Sequence, residues 1–504
     1  MRQATVAATL ALLGSASAAS TLFNGGTIVA FDAETQGLRV VRNGSLLVTD
    51  DRIAGIYTSP PAAQQNSSSI EVVDASGKII TPGFIDTHRH GWQTAFKTLG
   101  SNTSLTEYFG RYGEFASASH WDADDVYASQ LAGLYEAANA GVTTSLDHAH
   151  STWDKATSEA GLKASVDSGS RVFYAFTFHN TTASEIPELL QVFRDIADEG
   201  YYQGSPTTLG IAYDAWGPDP NRAEIDSIMQ LTEDYNISVI TTHSLGGPWG
   251  ITNSPSDVAA LDYLNISTPI VFSHASFLAA GDATLLRETN QHISITPESE
   301  MHYGHTHPNS HLIQDQAALG VDTHFTFSTD ILTQARIWLQ QARYDESEKV
   351  LDEWRLPLNN PMSTDQAFLL ATRSGGLALH RDDLGVIREG AKADLVVWDG
   401  ESPAMLGWLD PVAAVILHAS VGDIESVMVD GKWVKKDRKL VVGDYADVKR
   451  RFLATAKKIQ DIWVDTPLPT PEELQSMFPF PLVRADQLDV QRGEGNGYGE
   501  NHFE

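Results

Sequence analysis

Cysteine is absent from the 504 residues. Its absence excludes disulfides, thiolate nucleophiles, Cys-ligated zinc and iron–sulfur clusters together. Any metal must therefore be held by His, Asp, Glu or a modified Lys. Basic residues are scarce as well: 34 Lys and Arg face 65 Asp and Glu, a formal net charge of −31. Phosphate backbones and anionic membrane surfaces both recruit Lys/Arg-rich faces. The charge therefore argues against nucleic acid and membrane as partners and leaves a small-molecule substrate. Oligomeric state is open, a homo-oligomer included. What the chain does have is apolar mass: 42% hydrophobic and 20% charged residues suit a folded globular protein with a large core.

Residues 1–19 read as a secretory signal peptide. Arg2 is their only charge, the apolar run Val6–Leu13 follows, and Ala16-Ser17-Ala18 is a small-residue cleavage pattern. That run is far shorter than the ~20 residues of a spanning helix. Six Asn-X-Ser/Thr acceptors follow, at Asn43, Asn66, Asn102, Asn180, Asn236 and Asn265. Behind a signal peptide they point to a secreted, extracellular glycoprotein.

Residues 20–81 hold short β-type runs separated by turns such as Asn24-Gly25-Gly26, the first part of a β-sandwich. From residue 82 to 384, strand-like runs alternate with helical patterns, the signature of βα units around a parallel sheet. Eight runs stand out: Gly83–His90, Val142–His148, Arg171–Phe178, Leu209–Tyr213, Ser238–His243, Pro269–His274, Ile293–Pro297 and His324–Asp330. Helices are expected over Asp122–Ala140 and over Ser184–Glu199, the second stopping at Gly200. The whole fits an α/β fold, a (β/α)8 TIM-type barrel. Residues 385–440 revert to short strands and are expected to complete a small composite sandwich with residues 20–81. A helix near Tyr445–Val464 and a polar tail from Asp486, expected to be disordered, occupy residues 441–504.

The strongest chemical signal is Asp86-Thr87-His88-Arg89-His90, ending the first barrel strand. Alternate strand residues face one side, so His88 and His90 project together, as two imidazoles must to grip one divalent ion. His243, His274 and Asp330 end the fifth, sixth and eighth expected strands, where catalytic groups of such barrels collect. His148 and His150 close the second strand, and Glu298 and Glu300 lie at the mouth of the seventh. His302, His305, His307 and His311 form a His-rich stretch read as a loop over the pocket, with one His touching substrate. Aromatics at the mouths (Trp92, Phe178, Trp216, Trp249, Tyr303) suit a flat or apolar substrate.

Thr81-Pro82-Gly83-Phe84-Ile85-Asp86-Thr87-His88-X-His90, with Gln93 beyond it, resembles the amidohydrolase superfamily. The likeness is to its branch of cytosine and guanine deaminases, imidazolonepropionase and chlorotriazine hydrolases. Gly385-X-Ile387-X-X-Gly390-X-X-Ala393-Asp394-Leu395-Val396-Val397 and Val429-Asp430-Gly431-Lys432 fit the same superfamily, so the likeness covers roughly residues 20–440. It implies one catalytic divalent metal, zinc first with iron or manganese accepted by the same donors, held by His88, His90, His243 and Asp330. Asp330 would double as proton acceptor, and His274 would contact the attacking water or the substrate. Gln93, His148, Glu298 and His305 would bind substrate. Two departures stand out. The deaminase branch carries Glu three positions after the fifth-strand His, and this chain has Gly246 there. Dinuclear members bridge two metals with a Lys on the fourth strand, and Ile211–Trp216 has none, which favours a single metal.

The leading reading is therefore a secreted metal-dependent hydrolase of a non-peptide carbon–nitrogen bond in a small molecule. Alternatives are an aminohydrolase or dechlorinating hydrolase of a nitrogen heterocycle, with Gly246 counting against it, and a metal-dependent decarboxylase. Outside enzymes stands a metal-binding protein that has lost catalysis.

Overall fold

A computed structural model of the chain describes residues 20–59, 70–250, 252–305, 309–478 and 480–485. The expected signal peptide, Asn66, His307 and the polar tail from Asp486 lie outside the described residues.

Eight parallel strands form one sheet: β6 (Phe84–Arg89), β7 (Val142–Ala149), β8 (Arg171–Thr177), β9 (Thr208–Ala212), β10 (Ile240–Leu245), β11 (Ile270–Ser276), β12 (His292–Ile295) and β13 (Ala317–Leu319). They neighbour one another in chain order, and helices intervene, as a barrel demands. Most positions of these strands are buried on both faces, which is why they read as continuous apolar runs rather than alternating ones. The seam between the last strand and the first is made just past β13. Val321 and Asp322 donate their N–H groups to the His88 carbonyl at 3.0 and 2.9 Å, and Asp322 bridges to Arg89.

Both expected helices form. Ala123–Asn139 starts at Asp122, whose carboxylate accepts from the Asp125 N–H at 3.0 Å. Ile186–Glu199 ends at Gly200, whose φ of 61° is the left-handed conformation that glycine tolerates.

The flanking segments meet as one continuous mixed sheet of nine strands. Its N-terminal strands are β1 (Ser20–Asp32), β2 (Gly37–Thr49), β3 (Arg52–Tyr57), β4 (Ile70–Asp74) and β5 (Lys78–Pro82). Its C-terminal strands are β14 (Leu395–Asp399), β15 (Ile424–Val429), β16 (Lys432–Lys436) and β17 (Lys439–Leu440). The two flanks join where β5 pairs antiparallel with β14. Arg171, at the start of β8, reaches into this sheet and forms a buried ion pair with Asp394 and a half-buried one with Asp430. The C-terminal helix Tyr445–Asp465 lies on Ala123–Asn139, where Thr455 donates to Asp125 at 3.1 Å. Among the described residues no helix is long and apolar enough to cross a membrane.

The eighth expected strand is corrected. Residues 324–330 are a turn, a bend and irregular chain, and the strand is the triplet Ala317-Ala318-Leu319. Three apolar residues are too few to show a period, whereas His324–Asp330 resembles a strand only in composition.

Candidate metal centre and active site

Four imidazoles converge at the C-terminal mouth of the barrel, each brought there by a strand end. His88 and His90 follow the β6 pleat, His243 sits in β10 and His274 in β11. Ring nitrogens of His88, His90 and His243 lie within 4.8 Å of one another, and so do the ligand atoms of His88, His274 and Asp322. Asp322 Oδ1 is 3.4 Å from His88 Nε2 and 3.1 Å from His90 Nε2, and Oδ2 is 3.8 Å from His274 Nε2.

The carboxylate among these histidines is thus Asp322, and the assignment of Asp330 is corrected. Asp330 precedes the helix Ile331–Asp352, and its carboxylate accepts from the Thr333 N–H at 2.6 Å, an N-cap. Asp322 reaches the centre because the seam hydrogen bonds to His88 hold its backbone there.

Each ring is anchored from behind. His88 Nδ1 lies 2.7 Å from Ser273 Oγ, His90 Nδ1 2.9 Å from the His148 carbonyl, His243 Nδ1 2.9 Å from Asp214 Oδ2, and His274 Nδ1 2.8 Å from Thr296 Oγ1. A carbonyl can only accept, so His90 carries its proton on Nδ1 and turns the Nε2 lone pair inward. His243 donates its Nδ1 proton to Asp214, and its Nε2 faces that of His90 at 3.3 Å. Two inward lone pairs at that distance fit a shared cation. The buried His88 Nε2 adds to the fit, since it has no hydrogen-bond partner. The donor set suits a divalent ion of the zinc type, with second partners orienting each ligand.

The electrostatics agree with that assignment. Burial works to raise the Asp322 carboxyl, but the imidazoles around it, His274 first and then His88 and His90, outweigh it and hold it well below the usual range. Burial pushes His274 down to about 4, so its ring is neutral at pH 7. Burial also works to lower His243, yet Asp214 prevails and raises it. Without a metal, a proton on His243 can relieve the lone-pair clash.

A cavity of about 300 Å³ opens above the centre. Its polar lining includes His90, Glu114, His150, His179, Asp214, His243, His274, His305 and Asp322, and its aromatic lining Tyr108, Phe109, Phe115, Phe178 and Tyr303. Of the aromatics expected at the mouths, Phe178 and Tyr303 line it, whereas Trp92 and Trp216 are core residues. His305 lines it with its ring 4.7 Å from that of His274. His148 is buried behind His243, ring centroids 4.3 Å apart.

Two residues expected to touch substrate do other work. Gln93 is buried beneath the cavity and donates to Tyr108 Oη at 2.9 Å, placing that ring. The Glu298 carboxylate accepts from the Ser328 hydroxyl at 2.8 Å and from Gln334 at 3.0 Å, outside the cavity lining. Glu300 is buried behind His274, accepts from the Thr296 N–H at 2.9 Å, and is pushed up to about 7, chiefly by burial. His302 meets the Thr103 carbonyl and His311 meets Glu346, both away from the cavity. Sequence reasoning missed Asp322, Asp214 and Glu114. Asp214 stands just past the fourth barrel strand, on a segment that carries no Lys and no motif of its own.

Comparison with known proteins places this arrangement. A 5'-deoxyadenosine deaminase of Methanobrevibacter smithii is 24% identical over 430 residues, 83% of this chain and 94% of that one. A 5-methylthioadenosine/S-adenosylhomocysteine deaminase of Syntrophus aciditrophicus is 22% identical, covering 88% and 98%. Among solved structures, an atrazine chlorohydrolase of Arthrobacter aurescens complexed with zinc superposes with a TM-score of 0.73 at 16% identity, covering 86% of this chain and all of its own. A zinc-bound adenosine deaminase of Xanthomonas campestris gives 0.72 at 17% identity, covering 88% and 99%. The family model described as Amidohydrolase family matches residues 79–434, well over half the chain. The chain belongs to the amidohydrolase family, as a metal-dependent hydrolase acting on carbon–nitrogen bonds.

Proposed function

We propose that this chain is an aminohydrolase that removes an exocyclic amino group from a nitrogen heterocycle, an adenine-type nucleoside in the first instance. The carrying observation is the inward convergence of His88, His90, His243 and His274 on Asp322 at the floor of an aromatic-lined cavity. The names of the curated relatives, deaminases of 5'-deoxyadenosine and related nucleosides, support the substrate class.

His88, His90, His243 and Asp322 would hold a divalent ion, zinc in the first instance. Such an ion supplies a Lewis acid and lowers the pKa of bound water from ~16 towards ~7. Asp322, kept ionised by its histidines, takes the proton of the attacking water and hands it on towards the leaving nitrogen. His274, neutral and fixed by Thr296, orients the attack from the other side. The cavity aromatics flank a flat ring and exclude bulk water.

Gly246 leaves the proton for the ring nitrogen to another acid. Its neighbours fill the space, since a Cβ there would lie 3.0 Å from the Ser276 carbonyl oxygen. Glu114 lines the cavity, and burial raises its carboxyl, which favours a proton-bearing acid. We assign that transfer to Glu114. Gly246 also favours a second reading, hydrolysis of a non-ring carbon–nitrogen bond, which needs no ring protonation.

The test is ammonia release by the zinc-loaded chain from 5'-deoxyadenosine, 5'-methylthioadenosine and S-adenosylhomocysteine. Acyclic amides and a chlorotriazine run in parallel. Ammonia from the nucleosides, lost in Glu114→Gln, supports the reading. Amine release from the amides alone selects the second reading, and activity on none of the panel removes both.

We further propose that the chain is exported and glycosylated. The support is the signal-like segment 1–19 and the exposure of all five described acceptors, Asn43, Asn102, Asn180, Asn236 and Asn265. N-terminal sequencing of secreted material and a mass loss on endoglycosidase treatment test this.

A further inference from the structure

Beside the centre lies a second group of buried imidazoles that the mechanism does not use. His148 lies near the end of β7 and His150 just past it, and with His243 they bring ring nitrogens within 4.8 Å of one another. Asp214 Oδ2 is 3.4 Å from His148 Nε2. His179 lines the same side of the cavity. All three are at least nine-tenths buried: His148 is 0% exposed, His150 4% and His179 8%. Five of their ring nitrogens have no hydrogen-bond partner: both of His148, Nδ1 of His150 and both of His179.

A buried polar atom without a partner costs free energy, and native proteins seldom leave several side by side. Packing does not require imidazoles here, since Phe or Leu would fill the same space without the cost. A cluster of imidazoles with open nitrogens beside one carboxylate is instead the donor set of a borderline divalent cation.

We propose that His148, His150 and Asp214 hold a second divalent cation of the zinc type, next to the ion of the His88, His90, His243 and Asp322 centre.

Each cation would have its own carboxylate, Asp214 for one and Asp322 for the other. That offsets the repulsion between two dications in one cavity. The two positions share a wall: the His90 and His150 rings stack with centroids 3.9 Å apart, and Asp214 also anchors His243. Asp214 stands just past β9, a strand without Lys; the second position uses that strand end with a carboxylate donor and draws its imidazoles from the end of β7. Glu114 Oε2, 3.8 Å from His150 Nδ1, stays outside the ligand set. The inference does not depend on which carbon–nitrogen bond the enzyme cleaves.

Stoichiometry tests it. The chain is stripped with chelator, reloaded with excess zinc, freed of unbound metal by gel filtration, and its zinc counted by mass spectrometry. Wild type should carry two equivalents, His148→Ala/His150→Ala one, and His88→Ala/His90→Ala one. Ammonia release should vanish in the last variant, which separates failure of this inference from failure of the functional reading. Cobalt loading gives a second readout, with the visible absorption of one of two equivalents missing from the His148→Ala/His150→Ala protein. One equivalent in the reloaded wild type, with ordered water filling the second position, overturns the proposal. So do two equivalents in the His148→Ala/His150→Ala variant. If that variant does not fold by circular dichroism, His150→Gln, at the cavity edge, is read by the same count and should fall to one.

Discussion

Asp322 and Asp330 are eight positions apart, the first after the apolar Ala317–Val321 and the second after the more polar Thr326–Thr329. Their surroundings separate them. Asp322 meets three imidazoles, whereas Asp330 satisfies the first turn of a helix. Asp322→Asn keeps the shape and removes the proton acceptor, so turnover should fall by roughly 10²–10⁴, the usual share of general base catalysis. Asp330→Ala should leave kcat and metal content in place and cost about 1 kcal/mol of stability, the ordinary loss for an N-cap. Activity assays and thermal melts on the two proteins check this, and a reversed pattern would restore Asp330 to the centre. Ser273 makes a finer case, since its hydroxyl holds His88 Nδ1 at 2.7 Å. Ser273→Ala should weaken metal affinity by roughly 10- to 100-fold, as loss of an outer partner does. Activity should recover at saturating zinc, and a kcat that stays low there would mean that Ser273 acts on more than metal retention.

At the scale of elements, the first seven barrel strands are legible because each is a buried run closed by turn residues, and His88, His90, His243 and His274 are legible as strand ends. The eighth strand is not, because Ala317-Ala318-Leu319 carries no pattern and its work is completed by the non-strand residues Gly320–Asp322. Asp214 and Glu114 come from segments with no motif, so only the fold brings them to the cavity. The flanking β segments are legible in kind, while the pairing of β5 with β14 that makes them one sheet is a long-range contact that no local pattern encodes. Gly320 tests the seam directly. A Cβ on it would lie 2.9 Å from His88 Cβ and from the His88 backbone nitrogen, and 2.8 Å from Ser294 Oγ. Backbone cannot yield as a side-chain tip can, so Gly320→Ala should push β13 from β6, at a cost of about 1–3 kcal/mol as overpacking does. Metal content and turnover should fall with it, because Asp322 rides on the same seam. A variant as stable and active as wild type would show that the seam does not position Asp322.

For the whole molecule, the number of buried titratable groups decides how stability responds to pH. Burial holds eight imidazoles below their usual range: His148 and His305 at about 3, His179, His274 and His292 at about 4, and His88, His150 and His324 also low. Each takes a proton in the unfolded chain below ~6.5 and refuses it in the folded one until far lower pH. Its contribution is complete above ~6.5 and is lost progressively as pH falls from there through the folded value. Burial acts oppositely on carboxyls. Asp86 and Glu300 are raised to about 7, and Glu114, Asp147 and Asp394 are raised as well. Their contribution is complete below ~4 and is lost as pH rises through the folded value. Between about pH 4.5 and 6.5 the depressed imidazoles take protons in the unfolded chain and not in the folded one, while Asp86 and Glu300 hold theirs in the folded chain; eight imidazoles outweigh these two carboxyls, so the unfolded state binds more protons. His243, raised, is protonated in both states there and adds no slope. Each proton of difference is worth about 1.4 kcal/mol per pH unit. The metal-free chain should therefore lose stability steeply on acidification from pH 6.5 to 5, although acid relieves the self-repulsion of a −31 chain. Thermal melts in about 0.15 M salt, where that repulsion is screened beyond ~8 Å, isolate the imidazole effect. A bound ion should deepen the dependence, since protons compete with it for the same nitrogens. A midpoint that stays level or climbs between pH 6.5 and 5 would mean that these rings are not held neutral in the folded core.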